Sequence, residues 1–120
     1  MPSLFSAWFI PKMDKIGFEQ TRIEFEPTLD HIAFENRHTM LKFEVVYAKQ
    51  ALTPSRIKDL FRGTIHSILF VVDSDLINPN SLNEPWLRVL HALYYGRIYV
   101  WDGRGLGAIN HDRQAGVTTA

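Results

Sequence analysis

The residues with the clearest chemical potential are two aspartates that follow an apolar run, in Val71-Val72-Asp73-Ser74-Asp75. Carboxylates at i and i+2 after a buried strand are held rigidly, and hard divalent cations such as Mg²⁺ prefer oxygen ligands of this kind. Aspartate and serine also end strands, because their side chains bond to the nearby backbone. No further acid or lysine follows at a recognisable spacing. The sequence therefore favours a turn over a metal site at Asp73 and Asp75, and it predicts no cofactor.

A second pattern is the glycine-rich segment from Gly103 to Gly107. Glycine-rich loops hold phosphates because backbone N–H groups can approach closely, but they need a helix N-terminus directly after them. This segment instead follows one strand-like run and enters another. It is more typical of a hairpin tip than of a phosphate site.

The histidines and serines give no catalytic or metal-binding arrangement. No two histidines have the i, i+4 spacing of a helical metal site, and no serine lies in a Gly-x-Ser-x-Gly turn. The dipeptide His111-Asp112 also occurs in metal-dependent phosphohydrolases, but the other ligands of that scheme are not set out around it. The five histidines are His31, His38, His66, His91 and His111. We expect His91 to lie at the boundary of the second predicted helix rather than to bind a metal.

Aromatic residues point to a different class of function. The chain has eight phenylalanines, four tyrosines and three tryptophans, and one group surrounds a predicted strand from Arg97 to Trp101. A sheet covered by helices on one face only would leave one side of that strand exposed, and Tyr, Trp and Arg are enriched at binding hot spots. Burial of both sides, or a homodimer seam, is the interpretation that the sequence favours over such a contact surface. The candidate partner-binding residues are Tyr95, Arg97, Tyr99, Trp101 and Arg104.

The first 21 residues are also rich in aromatic side chains, but they show no helical or strand period and contain Pro2 and Pro11. We expect the apolar run Leu4 to Ile10 to pack across the back of the sheet. Docking on a partner or on a second copy is the alternative. A membrane anchor is disfavoured because the run has no basic face, and it is too short to span a bilayer.

Composition limits the class of protein. A chain of 120 residues fits one domain, and we expect it to comprise residues 1–112, with a flexible tail at 113–120. The net charge of zero argues against nucleic-acid binding and leaves self-association open. The absence of cysteine excludes disulfides, thiolate catalysis and cysteine-ligated metals, and it fits a cytoplasmic protein.

The elements that must position these residues begin with three strands. Polar and apolar residues alternate over 22–26, 31–35 and 41–47, and two short polar segments separate these runs. A period of two residues is typical of strands with one buried face, and short turns between them indicate antiparallel pairing. The sequence therefore predicts an antiparallel meander from Arg22 to Gln50.

Two helices and a hairpin are predicted after the meander. One helix begins at Thr53-Pro54, a hydroxyl cap followed by proline, and can end at Gly63. Residues 65–72 fit a buried strand better than a continuation of that helix, but residues 64–72 stay open between the two. Ser81 and Glu84 form a capping box before a second helix, which Gly96 ends. Residues 97–101 and 106–110 then form a hairpin around Asp102-Gly103.

The sequence predicts an α+β domain with a mostly antiparallel sheet and two main helices on one face. Its functional prediction is a non-enzymatic module that binds a segment of a partner protein, through an edge strand or an aromatic groove. The alternative is a small metal-dependent enzyme or ligand-binding domain that uses Asp73 and Asp75 with a divalent cation on a phosphorylated substrate.

Overall fold

A computed structural model describes residues 2–64, 67–77 and 84–109 of the chain. His66, most of the predicted capping box (residues 81–83), His111-Asp112 and the tail at 113–120 lie outside these residues. The elements follow one another in the order α1 Leu4–Lys15, β1 Phe18–Phe25, β2 Leu29–Asn36, β3 Lys42–Ala48, α2 Pro54–Gly63, β4 Ser67–Asp73, α3 Pro85–Tyr94, β5 Ile98–Trp101 and β6 Leu106–Ala108.

The six strands form one sheet in chain order, from β1 at one margin to β6 at the other. The predicted meander is confirmed, since β1, β2 and β3 pair antiparallel, and so do β5 and β6 of the C-terminal hairpin. Residues 67–73 are strand β4, which decides between the two alternatives for that segment. The α+β class therefore holds.

The prediction of a mostly antiparallel sheet was wrong, because β3, β4 and β5 run parallel. The chain crosses from β3 to β4 through α2, and from β4 to β5 through α3. A helical crossover returns the chain to the same end of the sheet, so consecutive strands joined in this way point in the same direction. The sheet is therefore mixed, and the carboxyl ends of three strands meet at one edge.

Helices cover both faces of the sheet. On one face α2 and α3 pack against the sheet in a cluster that includes Ile57, Leu87, Leu90 and Tyr94. On the other face α1 inserts Phe5 and Phe9 among side chains of β2, β3, β4 and β5. The two predicted helices do share one face, but the sequence did not predict the third helix, which covers the opposite face.

Helix α1 has a defined beginning in spite of its irregular pattern. The Ser3 hydroxyl accepts a hydrogen bond from the Ser6 backbone N–H at 3.0 Å and so caps the helix, while Pro11 lies inside it. None of the helices among the described residues is long and apolar enough to cross a membrane.

Candidate functional site

A cleft of about 290 Å³ lies at the edge where the carboxyl ends of β3, β4 and β5 meet. We call it the strand-end cleft. Antiparallel pairing also brings the beginning of β2 to this edge, because Asp30 is the register partner of Tyr47 near the end of β3. Sheets with parallel strands commonly bind ligands outside the carboxyl ends of those strands. The cleft is lined by Ser3, Leu4, Tyr47, Lys49, Asp73, Ser74, Asp75, Trp101, Asp102 and Gly103.

Lys49, which lines the cleft, forms an ion pair with a fully buried aspartate. The Lys49 ammonium lies 2.7 Å from Oδ1 of Asp30, whose side chain is fully buried. The other oxygen of Asp30 accepts hydrogen bonds from the Ser6 hydroxyl at 2.7 Å and the Ser3 backbone N–H at 3.3 Å. Burial alone would raise the pKa of Asp30, but Lys49 and the two serines lower it by more. Asp30 is therefore ionised and holds Lys49 at the cleft.

Asp73 and its neighbours also line the cleft. The Tyr47 hydroxyl donates to Oδ2 of Asp73, and the backbone N–H of Asp75 donates to Oδ1 at 2.9 Å. Burial raises the pKa of Tyr47, and the carboxylates of Asp73, Asp30 and Asp75 raise it further. Tyr47 is therefore a fixed hydrogen-bond donor rather than a phenolate, and it keeps the Asp73 carboxylate in one orientation.

The predicted turn at Asp73-Ser74-Asp75 is present, since Asp73 caps a short 3-10 turn over Ser74–Leu76. The turn and the cleft are not alternatives, because the same turn places Asp73 and Asp75 on the cleft wall. Within the described ranges, no three His, Asp or Glu side chains are grouped closely enough to hold a metal ion by themselves. A cation in this cleft would need oxygens from a ligand or from water.

The electrostatic character of the cleft is acidic. The lining residues include one lysine, Lys49, and three aspartates, Asp73, Asp75 and Asp102. The charge of Lys49 is balanced by its ion pair with Asp30. In a chain with zero net charge, this is a local excess of negative charge. Acidic clefts attract cations, so an anionic ligand would have to enter together with a neutralising cation.

The hairpin tip after β5 behaves as the sequence predicted. Asp102 accepts hydrogen bonds from the backbone N–H groups of Arg104 and Gly105, at 2.8 and 2.9 Å. These bonds lower the pKa of the Asp102 carboxyl. Gly103 adopts a φ of 94°, a conformation that L side chains rarely take. The glycine-rich segment forms a turn between two strands.

The five residues of the predicted partner-binding surface do not form one surface. Trp101 is only 4% exposed and lies against Phe5 and Trp8 of α1. Because α1 covers this face of the sheet, Trp101 is not exposed as a partner-binding residue would need to be, and the favoured interpretation of burial holds for its side chain. Tyr99 is half-buried on the same face as Trp101.

The other three candidates lie at opposite ends of β5. Tyr95 is 65% exposed at the end of α3, and the Arg97 guanidinium lies over the ring of Tyr94. Arg104 is exposed in the turn that follows β5. Their role in binding a partner stays a prediction, but one compact groove of all five is ruled out by the burial of Trp101.

Sequence reasoning missed Asp30, Lys49 and Tyr47. The alternating runs place Asp30 in the polar segment between the first two predicted strands, yet it is the second residue of β2 and fully buried. Its partners are 24 and 19 positions away in sequence, at Ser6 and Lys49, so no local spacing reveals them. The one available signal is the position of the two residues. Asp30 lies near the beginning of β2 and Lys49 follows the end of β3, and a short connection makes these two strands antiparallel neighbours.

The hydrogen bond from Tyr47 to Asp73 gives a first prediction. Replacing Tyr47 with Phe removes one donor from a part-buried carboxylate and leaves the aromatic packing in place. We expect the free energy of unfolding to fall by about 1–2 kcal/mol, because a hydrogen bond to a charged group is lost. Urea denaturation followed by circular dichroism measures this. A fall below about 0.3 kcal/mol would show that the bond does not hold Asp73 in solution.

Comparison with known proteins adds no functional information: no protein-family model, no curated protein and no solved structure matches this chain.

Proposed function

We propose that this domain binds a phosphorylated ligand together with a divalent cation in the strand-end cleft, as a ligand-binding domain or a metal-dependent enzyme. The observation that carries the proposal is the convergence of Asp73, Asp75 and Asp102 with Lys49 around one cleft at the ends of parallel strands. The aspartates supply oxygen ligands for a hard cation, and the bound cation supplies the positive charge that neutralises the phosphate. The Lys49 ammonium, whose charge is balanced by Asp30, can still donate a hydrogen bond to a phosphate oxygen.

The small number of acidic ligands suits this kind of site. Mg²⁺ usually keeps several waters and binds through one or two carboxylates together with the phosphates of a substrate. Asp73 and Asp75 would supply the carboxylates, and the ligand would complete the coordination. This agrees with the finding that no three acidic or histidine side chains of the described segments are grouped as a self-sufficient metal site.

The volume of the cleft limits the ligand. About 290 Å³ is near the lower end of the range for small-molecule pockets, which begins at about 300 Å³. The cleft therefore suits a phosphate ester of small size, or one phosphate group of a longer molecule that extends into solvent.

Cation binding is tested by thermal denaturation in the presence of MgCl₂ or MnCl₂. A ligand that binds only the folded chain stabilises it by mass action, by about 1.4 kcal/mol at ten times the dissociation constant. For a domain of this size we expect the melting temperature to rise by about 5–6 °C. Asp73→Asn and Asp75→Asn should each remove most of that rise, because each change removes one charged ligand.

Asp59→Asn is the matched control, because it removes one carboxylate from the exposed face of α2, outside the cleft. It should leave the cation-induced rise unchanged. A rise that is the same in all three variants, or absent from the unmodified chain, would contradict the proposal. Hydrolysis of p-nitrophenyl phosphate and bis-p-nitrophenyl phosphate with Mn²⁺ then separates an enzyme from a binding domain.

A second proposed function is binding of a segment of a partner protein, and one observation favours it. Strand β1 has eight residues, is mostly exposed, and pairs with β2 along one edge only. A free strand edge can accept an extended peptide through backbone hydrogen bonds. We place this function in the cytoplasm, a compartment that the absence of cysteine fits.

Affinity capture from a lysate of the native cell tests this second function. Tyr95→Ala and Arg104→Ala are suitable surface variants, because both side chains are exposed. Trp101→Ala is unsuitable, because it removes a buried side chain. A stoichiometric partner that is lost with Glu24→Lys, a change at an exposed side chain of β1, supports the edge-strand route. One that is lost with Tyr95→Ala supports the aromatic route. Retention by every variant would contradict both routes.

A further inference from the structure

The outer edge of β1 has a symmetric charge pattern. The central residues are Arg22, Ile23 and Glu24, and the two charged side chains are each about half exposed. Arg22 and Glu24 point to the same face of the sheet, because their register partners Ala33 and His31 are two positions apart on β2. Positive and negative charge are thus placed at equal distances on either side of Ile23.

The present partners of Arg22 leave it able to make a further ion pair. Its guanidinium lies 3.6 Å from Glu24 and 3.4 Å from the buried Glu44, so neither contact is close. A guanidinium carries five N–H donors in a planar fork. Arg22 can therefore bind another carboxylate at the outer edge of the sheet without giving up Glu44.

We propose that β1 pairs antiparallel with β1 of a second copy of this chain, with Ile23 on the two-fold axis. In this register Arg22 faces Glu24 of the second copy, and Glu24 faces its Arg22, as a two-fold interface requires. The two sheets then join into one. This inference rests on the second proposed function, the edge-strand route, and it names the occupant of that edge.

Charge selects this register over its neighbours. A shift of each strand by one residue in one direction would place Arg22 opposite Arg22, and the opposite shift would place Glu24 opposite Glu24. Like charges directly opposite each other destabilise a strand pair, whereas opposite charges stabilise it. On the other face of the strand, Ile23 is half-buried and Phe25 is partly exposed, so pairing also covers apolar surface.

An irregularity in β1 limits the strength of the association. The register of β1 against β2 shifts between Gln20 and Arg22, which leaves Thr21 as an extra residue. A bulge of this kind bends the strand and interrupts regular pairing. With Ile23 on the axis, Phe25 faces the extra residue Thr21, so the regular part of the new pairing is confined to Arg22, Ile23 and Glu24 of each chain. The dimer is therefore a weak one that depends on protein concentration.

Sedimentation velocity of the unmodified chain and of two charge variants tests the proposal. Glu24→Lys places a lysine opposite Arg22, and Arg22→Glu places a glutamate opposite Glu24, so each variant alone should dimerise at least about tenfold more weakly. Mixing the two variants restores both attractive pairs, because one chain is then positive at both positions and the other is negative at both. The mixture should form a heterodimer with the affinity of the unmodified chain.

Glu19→Lys is the matched control, because it makes the same charge change on the same strand beyond the bulge. It should dimerise like the unmodified chain. If Arg22→Glu fails to fold because Glu44 loses its arginine, the comparison of Glu24→Lys with Glu19→Lys still decides the matter. Equal dimerisation by these two variants would overturn the proposal.

An unmodified chain that stays monomeric up to about 1 mM would also overturn it. That result is distinguishable from failure of the edge-strand function, because the affinity capture described above still reports whether Glu24→Lys loses a partner protein. A captured partner without self-association would mean that the edge accepts a different chain.

Discussion

Replacing Phe5 with Ala is expected to lower the free energy of unfolding by about 4 kcal/mol. Phe5 is fully buried, and its ring lies 4.8 Å from that of Tyr47 and 5.6 Å from that of Trp101, measured between centroids. The substitution removes an aromatic side chain from a cluster that α1 and the sheet close from both sides. Because domains of this size are stable by about 5–15 kcal/mol, the loss is a large fraction of the total.

Urea denaturation followed by tryptophan fluorescence measures the effect, since Trp8 and Trp101 both belong to the same cluster. Leu4→Ala is the matched control: it lies next to Phe5 on the same helix, but its side chain is 81% exposed. We expect the control to change stability by less than about 0.5 kcal/mol. If Phe5→Ala costs less than about 1 kcal/mol, α1 does not pack on the sheet in solution.

The consequence for the cleft follows from the position of Ser3 and Ser6. Both serines lie at the beginning of α1 and donate hydrogen bonds to Asp30, so separation of α1 from the sheet would also release Asp30, the ion-pair partner of the cleft residue Lys49. Phe5→Ala is therefore expected to weaken any cation response through the helix, although Phe5 does not line the cleft.

The parts of the fold that the sequence predicts are those with local signals. Alternation of polar and apolar residues identified β1, β2 and β3, and the short polar turns fixed their antiparallel order. Thr53 and Pro54 located the beginning of α2 in the same way, and the Thr53 hydroxyl does accept a hydrogen bond from Arg56 N–H. In each case the residues that decide the structure are adjacent in sequence.

The parallel strands and α1 were missed for two different reasons. The direction of β4 depends on where the chain returns after α2. That direction follows from the order strand, helix, strand along the chain, and not from any local pattern of residues. Helix α1 has large apolar residues on most of its sides and a proline inside it, so no stripe of period 3.6 is visible. The one local sign of α1 was Ser3, because serine is a preferred residue at the N-cap of a helix.

Only some residues of the candidate site could be predicted from the sequence. Asp73 and Asp75 were visible because both carboxylates follow one strand. Asp30 and Lys49 meet only after two strands pair and α1 covers them, so their contact is a product of the tertiary fold. The same tertiary contact removed Trp101 from the surface, since α1 covers it.

The contact between Asp30 and Lys49 also carries the second large prediction. Replacing Lys49 with Met leaves the fully buried Asp30 carboxylate with hydrogen bonds from Ser3 and Ser6 but without its cation. Loss of one partner from a buried ion pair costs about 3–5 kcal/mol. The Lys49 side chain keeps 24% of its surface exposed, so water already screens part of the attraction, and we expect about 3 kcal/mol at neutral pH.

The effect should depend on pH in a defined direction. In the unmodified chain the folded-state pKa of Asp30 is lowered, so its contribution to stability is present above the ordinary aspartate pKa and is lost as the pH falls through the folded value. Without Lys49, burial is the largest remaining influence on the pKa of Asp30, so we expect the folded-state pKa to rise. In Lys49→Met the buried Asp30 carboxyl group destabilises the fold little while it is protonated. The stability of this variant is therefore lost as the pH rises through the ordinary aspartate pKa. The cost of Lys49→Met should therefore be largest near pH 7 and shrink towards about pH 4.

Urea denaturation at pH 7 and at about pH 4 measures this difference, and two further variants identify its cause. Lys58→Met removes a lysine from an exposed position on α2 and should cost less than about 0.5 kcal/mol at either pH. Adding Asp30→Asn to Lys49→Met removes the uncompensated charge, so the double variant should be more stable than Lys49→Met alone at pH 7. If the cost of Lys49→Met is the same at both pH values, and the double variant recovers nothing, the loss comes from the packing of the lysine stem. Asp30 would then not be the group that holds Lys49 at the cleft.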